Sequence, residues 1–392
     1  MKDLINFATL GKNISCTMTV TQTNYKRIIV KIGSNVLTRP DGTLNITRMS
    51  DLVDQVAELH NRGLEVMMVS SGAMAAGRGL MRGTIKGNLD PVSARQLYSS
   101  VGQAKLINRY FDFFCDHGIT CGQILTTKES LATRGHYLNQ KHCMEVMLDH
   151  GVIPIVNEND TISVTELMFT DNDELSGLLA SMMGAQALVI LSNIDGVYDG
   201  DPSAPDTQVI RDIDSAAHLD DSSIIQDSKS SFGRGGMRTK FRIALKVAGE
   251  GIDVIIANGK RDNILTDIIA QQRTVPYTVF HRSSKPTSTV KKWIAHSEGF
   301  AKGTIHVNQG AFEALTSAKA TSLLPVGIDS VTGTFEPNDI VGIAAPDGTT
   351  FAYGRTAYSS AKVAASAGHR GSRPVVHYDY MWVERNQQPH RD

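Results

Sequence analysis

A chain of 392 residues is longer than one ordinary domain and points to two. Charged residues make up 20% and hydrophobic ones 41%, with a net charge of −1, so no global field draws the chain onto nucleic acid or anionic lipid. Four cysteines (Cys16, Cys115, Cys121, Cys143) without a CxxC pair signal neither a zinc site nor a disulfide framework. Reduced thiols suit a cytoplasmic protein, and no apolar run reaches the ~18 residues of a membrane helix. Residues 1–24 lack the apolar core of a signal peptide and read as a loose extension, with Met18 an alternative start to Met1.

From Tyr25 to about Phe280 short apolar runs alternate with helical patterns. Arg27–Ile32 is a β-branched run broken only by Lys31, and it ends on Gly33-Ser34. Leu52, Val53, Val56 and Leu59 follow at helical spacing, and Val66–Val69 is a second run ending on Ser70-Ser71-Gly72. This predicts a βαβ unit. A long helix is expected over Arg95–Phe114, a strand over Ile119–Thr126 and a helix over Asn139–Leu148. The strand Val152–Val156 stops at Asn157-Glu158-Asn159-Asp160, and a helix covers Asp173–Met183. The strand Ala187–Leu191 ends on Ser192-Asn193, the helix Thr239–Ala248 carries Lys240 in its first turn, and the strand Val254–Ala257 ends at Asn258-Gly259. The fold class is therefore α/β, a mostly parallel sheet sandwiched by helices. Residues 281–302 read as a linker, and 303–385 as a small β-rich domain, with strands at Thr304–Val307, Ile340–Ile343 and Phe351–Gly354 and one helical stretch, Ala311–Thr316.

In parallel sheets ligands bind beyond the carboxyl ends of strands, often against a helix N-terminus. Lys31 and the Ser70-Ser71-Gly72 turn would face one such crevice, which suits an anion. A Lys in an apolar strand is either paired in that crevice or reaches to solvent from an edge. Asn157–Asp160 and Asp171-Asn172-Asp173-Glu174 are loop clusters that either cap elements or hold an ammonium-bearing substrate or a nucleotide's metal. Ser231–Lys240 has three glycines in four residues. It is either a surface turn or a phosphate cradle opening a helix, and it is not a Walker motif. Ser192-Asn193 reads as a tight turn or a nucleotide edge. None of the twelve histidines has HxH or HExxH spacing, so no protein metal site and no base is assigned.

In this order, Val30–Leu37, Val69–Gly77, Val156–Asp160, Asp171-Asn172-Asp173, Asp195–Pro202 and Gly235–Lys240 resemble the amino acid kinase family. The tail, with Ser322–Ile328 and Val331-Thr332-Gly333, resembles a PUA domain. The resemblance implies the amino acid kinase fold and ATP-dependent phosphorylation of the γ-carboxylate of L-glutamate to glutamate 5-phosphate, which begins proline synthesis. It further implies that Ser71, Asp160 and Asn172 hold glutamate. Lys31 and Lys240 would neutralise the transferring phosphoryl group, with Asp173 positioning both lysines and Mg²⁺ bridging the phosphates. Ser192, Asn193 and the run Arg234, Gly235, Gly236, Met237, Arg238, Thr239, Lys240 would contact ATP together with Lys31. A homodimer or homotetramer and feedback by proline are implied too. The sequence departs from the family in having Ser192-Asn193 for Thr-Asp and Gly33-Ser34-Asn35 for Gly-Thr-Ser; both keep hydrogen-bonding groups.

Two rival readings remain. One keeps the fold and changes the acceptor to acetylglutamate, aspartate or a nucleoside monophosphate. The other is RNA binding by the tail domain. From Phe300 onward eight Lys and Arg face eight Asp and Glu, so RNA binding lacks the excess of positive charge it relies on.

Overall fold

The computed structural model describes residues 25–383, apart from 86–87, 132–133, 164–168, 170, 203, 205, 215–235, 285–288, 297, 318 and 371–372. The N-terminal extension lies outside the described residues. Among the described residues no helix is long and apolar enough to cross a membrane.

The first sheet has eight strands. They are β1 (Arg27–Ile32), β2 (Glu65–Ser70), β3 (Cys121–Thr126), β4 (Ile153–Glu158), β5 (Ala187–Ser192), β6 (Asp212–Asp214), β7 (Asp253–Asn258) and β8 (Tyr277–His281), in the spatial order β3-β4-β2-β1-β5-β7-β8-β6. Every neighbouring pair is parallel except β7–β8. The helices are α1 (Ser34–Leu37), α2 (Ile46–Asn61), α3 (Ala73–Leu80), α4 (Pro91–Asp116), α5 (Arg134–Asp149), α6 (Asn172–Met183), α7 (Met237–Gly249) and α8 (Ile264–Ile269). The expected fold class is what the chain adopts. Helix α4 begins before Arg95 because Pro91 is well placed at a first helical position and Asp90 accepts from the Val92 and Ser93 amides.

Strand periodicity divides the core. Ile28, Val30 and Ile32 point to one face, where they join Leu52, Val56 and Leu106. Ile29 points to the other, among Leu175, Leu179 and Phe241 of α6 and α7. Side chains two apart share a face, so Lys31 emerges on the α6/α7 side at the carboxyl end of a central strand. Leu52, Val53, Val56 and Leu59 are fully buried, each contributing about 1.5–3 kcal/mol.

Helix α3 is pressed against α4 at two glycines. A Cβ on Gly77 would lie 1.9 Å from the Tyr98 carbonyl oxygen, and one on Gly102 would lie 1.8 Å from that of Ala73. Only glycine permits this approach, and the approach brings the polar residues of α4 to the mouth of the sheet.

Residues 281–302 are not the linker expected of them. They carry α9 (Thr289–Ala295), in which Trp293, Ile294 and Ala295 are buried. Val290, Trp293 and Ile294 pack on the α6/α7 side of the first sheet, a helical spacing overshadowed in the sequence by the Ser and Pro residues before it. The tail domain holds β9 (Gly303–Val307), α10 (Gln309–Thr316), β10 (Ile328–Gly333), β11 (Ile340–Ala344), β12 (Thr350–Thr356), α11 (Ser360–Ser366) and β13 (Val376–Val383). Its sheet order is β10-β9-β11-β12-β13, around a separate core that includes Ile305, Val341 and Phe351.

Candidate active site

The carboxyl ends of β1, β2, β4 and β5 meet the N-termini of α3, α6 and α7 at one edge. Gly72 opens α3 with φ 108°, a left-handed conformation open to glycine, and so turns Ser71 back over the sheet. Asp171 caps α6, accepting the amides of Asp173 and Glu174 at 2.9 and 3.1 Å. That cap holds Asn172 and Asp173 in the first turn.

Asp173 lies between the two lysines. Its Oδ1 is 2.5 Å from Lys31 Nζ and its Oδ2 is 2.9 Å from Lys240 Nζ. Asp173 is fully buried, and Lys31 and Lys240 nearly so. Burial pushes the Asp173 carboxyl up, but the two ammonium groups outweigh it and hold the pKa down to about 2. The edge-lysine alternative for Lys31 is thereby set aside: β1 is central and its lysine is paired. Lys240 comes from the first turn of α7, whose observed start at Met237 also draws Met237, Arg238 and Thr239 into the helix. Helix N-termini carry partial positive charge, so two of them and two ammoniums surround one carboxylate.

Beside this lies a polar cluster. Asn172 Nδ2 donates to Ser71 Oγ and to Asn157 Oδ1, each at 3.0 Å. Asn157 Nδ2 donates in turn to Gln103 Oε1 at 2.9 Å. Asp160 accepts from Ser99 Oγ at 3.2 Å and has Arg95 Nε at 3.9 Å. Gln96 donates to the Thr161 carbonyl at 2.9 Å. Glu158 faces inward and accepts from Ser163 Oγ and the Phe169 amide, so it braces the loop. The structure thus brings Ser71 and Asn172 into contact, and sets Asp160 on the loop that follows β4.

Ser192, buried, ends β5 one strand away from Lys31, and Asn193, exposed, follows it. Gly236 precedes α7. Arg234 and Gly235, expected in the phosphate cradle, lie outside the described residues. Asp195 takes both Arg261 Nε and Nη2 at 2.7 Å and Asn258 Nδ2 at 3.0 Å, which fixes the turn after β5 against the end of β7. Arg261 was not singled out in the sequence, because a surface arginine after a Gly turn carries no pattern of its own.

The Asp171 side chain is less settled than its neighbours. The Oδ1 atom makes the cap; Oδ2 is buried without a hydrogen-bond partner among the described residues. Burial first, then the charge of Asp173, push its pKa up to about 6 against the pull of Lys31 and Lys240. A raised carboxyl favours the folded state when protonated, so it weakens stability as pH rises from about 4 through 6. Asp171→Asn keeps a good cap without the charge. It is expected to unfold at higher urea than the wild type at pH 7, by about 3 kcal/mol, with the gap closing below about pH 4. A gap that persists at pH 4 would show that the carboxylate is not strained.

The sequence pattern of the amino acid kinase family matches residues 26–258, and that of the PUA domain matches residues 303–378. The chain is 60% identical over 360 residues to a glutamate 5-kinase of Bacteroides thetaiotaomicron, covering 92% of this chain and 99% of the relative. It is 45% identical to one of Chlorobaculum tepidum, with 92% and 98% covered, and 38% identical to one of Trichlorobacter lovleyi, with 88% and 91% covered.

Proposed function

Because the chain belongs to the amino acid kinase family, and within it to the glutamate 5-kinases, we propose that it transfers the γ-phosphoryl group of ATP to the γ-carboxylate of L-glutamate, the first step of proline biosynthesis. The products are glutamate 5-phosphate and ADP. The observation that carries the reading is the pair of buried lysines on the two oxygens of Asp173, next to the Ser71–Asn172–Asn157 cluster.

Two anions must be brought together in this reaction. A γ-carboxylate oxygen forms the new bond to phosphorus, the bond to the β–γ bridging oxygen breaks, and ADP leaves with that electron pair. Phosphoryl transfer relies on positioning and charge neutralisation. The attacking group is already ionised, so no general base is needed. In this reading Lys31 and Lys240 neutralise the phosphoryl oxygens while Asp173 keeps the two amines oriented. Ser71 and Asn172 hold the acceptor carboxylate end, and Asp160 takes the α-ammonium. Ser192, Asn193 and the segment from Arg234 to Lys240 take the nucleotide.

Mg²⁺ belongs to the proposal through the nucleotide. Among the described residues no group of three or more His, Cys, Asp or Glu could cage a metal. The ion fits as one held by ATP phosphates and a single carboxylate, and the unpartnered Oδ2 of Asp171 suits that place. Held there by Asp171, the ion would supply charge neutralisation at the phosphates. Assembly as a dimer or tetramer, feedback by proline and a cytoplasmic setting complete the reading; family resemblance supports the first two, and the free Cys115, Cys121 and Cys143 suit the third.

The test is ADP release that depends on glutamate, with hydroxylamine trapping the acyl phosphate as a hydroxamate. Turnover with acetylglutamate, aspartate or UMP in preference to glutamate would overturn the choice of acceptor. Asp160→Ala is expected to raise the KM for glutamate by about 10²-fold and to leave that for ATP nearly unchanged. A loss confined to ATP would reverse the assignment of Asp160.

A further inference from the structure

The face that α4 turns to the site carries more chemistry than the proposed function uses. Arg95, Gln96, Ser99 and Gln103 all reach the end of β4 and the loop after it, from Asn157 to Thr161. They do so because Gly77 and Gly102 let α3 and α4 approach at backbone contact. Gln96, Ser99 and Gln103 make hydrogen bonds that shape the loop. Arg95 adds a positive charge: its guanidinium lies at 3.9 Å from Asp160 Oδ1, with the side chains only 18% and 12% exposed. That is an ion-pair distance and too long for a hydrogen bond.

Consider what Asp160 alone would select. A carboxylate holds an ammonium group, but an α-amino acid brings its α-carboxylate on the neighbouring carbon. That second anion would be repelled by Asp160 in a site largely closed to water, where charges interact strongly. A cation beside Asp160 removes the repulsion. We infer that Arg95 is a specificity residue that takes the α-carboxylate of the acceptor while Asp160 takes its α-ammonium. Arg95 and Asp160 then form a pair of opposite charges matched to the zwitterionic end of an amino acid. Arginine suits the task, because its planar fork pairs with a carboxylate through two parallel N–H bonds.

This inference rests on the proposed glutamate kinase activity. Its test uses two truncated acceptors: 4-aminobutyrate, which is glutamate without the α-carboxylate, and glutarate, which is glutamate without the α-ammonium. Wild type should favour glutamate strongly over both. Arg95→Met should lower kcat/KM for glutamate by about 30-fold or more, mostly through KM, in line with the loss of one partner of a desolvated charge pair. The same variant should keep kcat/KM for 4-aminobutyrate within about threefold of wild type, so that discrimination between the two collapses. Arg95→Lys should recover part of the glutamate KM, and the KM for ATP should stay unchanged in both variants. A purely structural role for Arg95 would weaken glutamate and 4-aminobutyrate alike, and that result overturns the inference. An unchanged glutamate KM in Arg95→Met overturns it too. If 4-aminobutyrate gives no measurable rate with either protein, the glutamate KM and its recovery by lysine decide. Wild type that forms no hydroxamate from glutamate would instead bring down the kinase reading itself.

Discussion

Lys240→Ala is expected to lower kcat by at least about 10²-fold, the loss that follows removal of one transition-state donor in a closed site. Helix α7 should persist. Its N-cap is Gly236, and its inward face, with Phe241, Ala244 and Val247, is untouched; alanine is also a better helix former than lysine. The variant should therefore show wild-type far-UV circular dichroism. Asp173 keeps one ion pair, to Lys31 at 2.5 Å, so the buried carboxylate is still matched by a charge. The effect belongs to chemistry and should appear in kcat more than in the KM for glutamate, because a charge that develops on the phosphoryl group is felt most in the transition state. Lys240→Arg should recover little, since a planar fork cannot take the place of a point charge on Asp173 Oδ2 without displacing Lys31. Near-normal turnover in Lys240→Ala would remove the residue from the mechanism.

Much of the fold was legible because buried parallel strands read as β-branched apolar runs. Val30–Ile32, Val66–Val69 and Ala187–Leu191 could hardly be anything else, and a lysine inside the first of them marks its own importance. Three features were hidden, each for a physical reason. The reversal of β8 against β7 leaves no trace in hydrophobic periodicity, which reports faces and not directions. The inward polar face of α4 reads as a solvated face, because Arg95, Gln96, Ser99 and Gln103 are the residue types that surfaces carry. Only the close approach at Gly77 and Gly102, a tertiary fact, turns them inward. Helix α9 was hidden by the Ser- and Pro-rich stretch before it, although Val290, Trp293 and Ile294 hold a helical spacing. The motif residues fared differently. The strand pattern alone brings Lys31 and the turn at Ser71 to one crevice, whereas the convergence of Asn172, Asp173 and Lys240 on it could be expected from family resemblance but not from spacing.

Asp173→Asn should be the most damaging single change in the molecule. Its amide would face Lys31 and Lys240 with no negative charge between them. Breaking a buried pair by removing one partner costs about 3–5 kcal/mol, because the other charge is left without compensation. Here two ammoniums lose the carboxylate that both contact, and the neighbouring Asp171, which feels both charges, offsets only part of that loss. They must release protons or swing apart, and either outcome removes both from a phosphoryl group. Turnover should fall by at least about 10³-fold, more than for either lysine alone. Stability carries a signature that activity does not. The carboxyl of Asp173 is held down to about 2, below its ordinary value near 3.9. A depressed carboxyl contributes stability that is complete above the unfolded pKa and is lost as pH falls through the folded one. The urea midpoint of wild type should therefore exceed that of Asp173→Asn by its full margin at pH 5–7. The margin should shrink between about pH 4 and pH 2, where the wild-type carboxylate takes up its proton and resembles the amide. If the two proteins instead differ by the same amount at pH 7 and at pH 2, the lost contribution is one of shape and not of charge, and Asp173 does not anchor the lysines in the way the geometry requires.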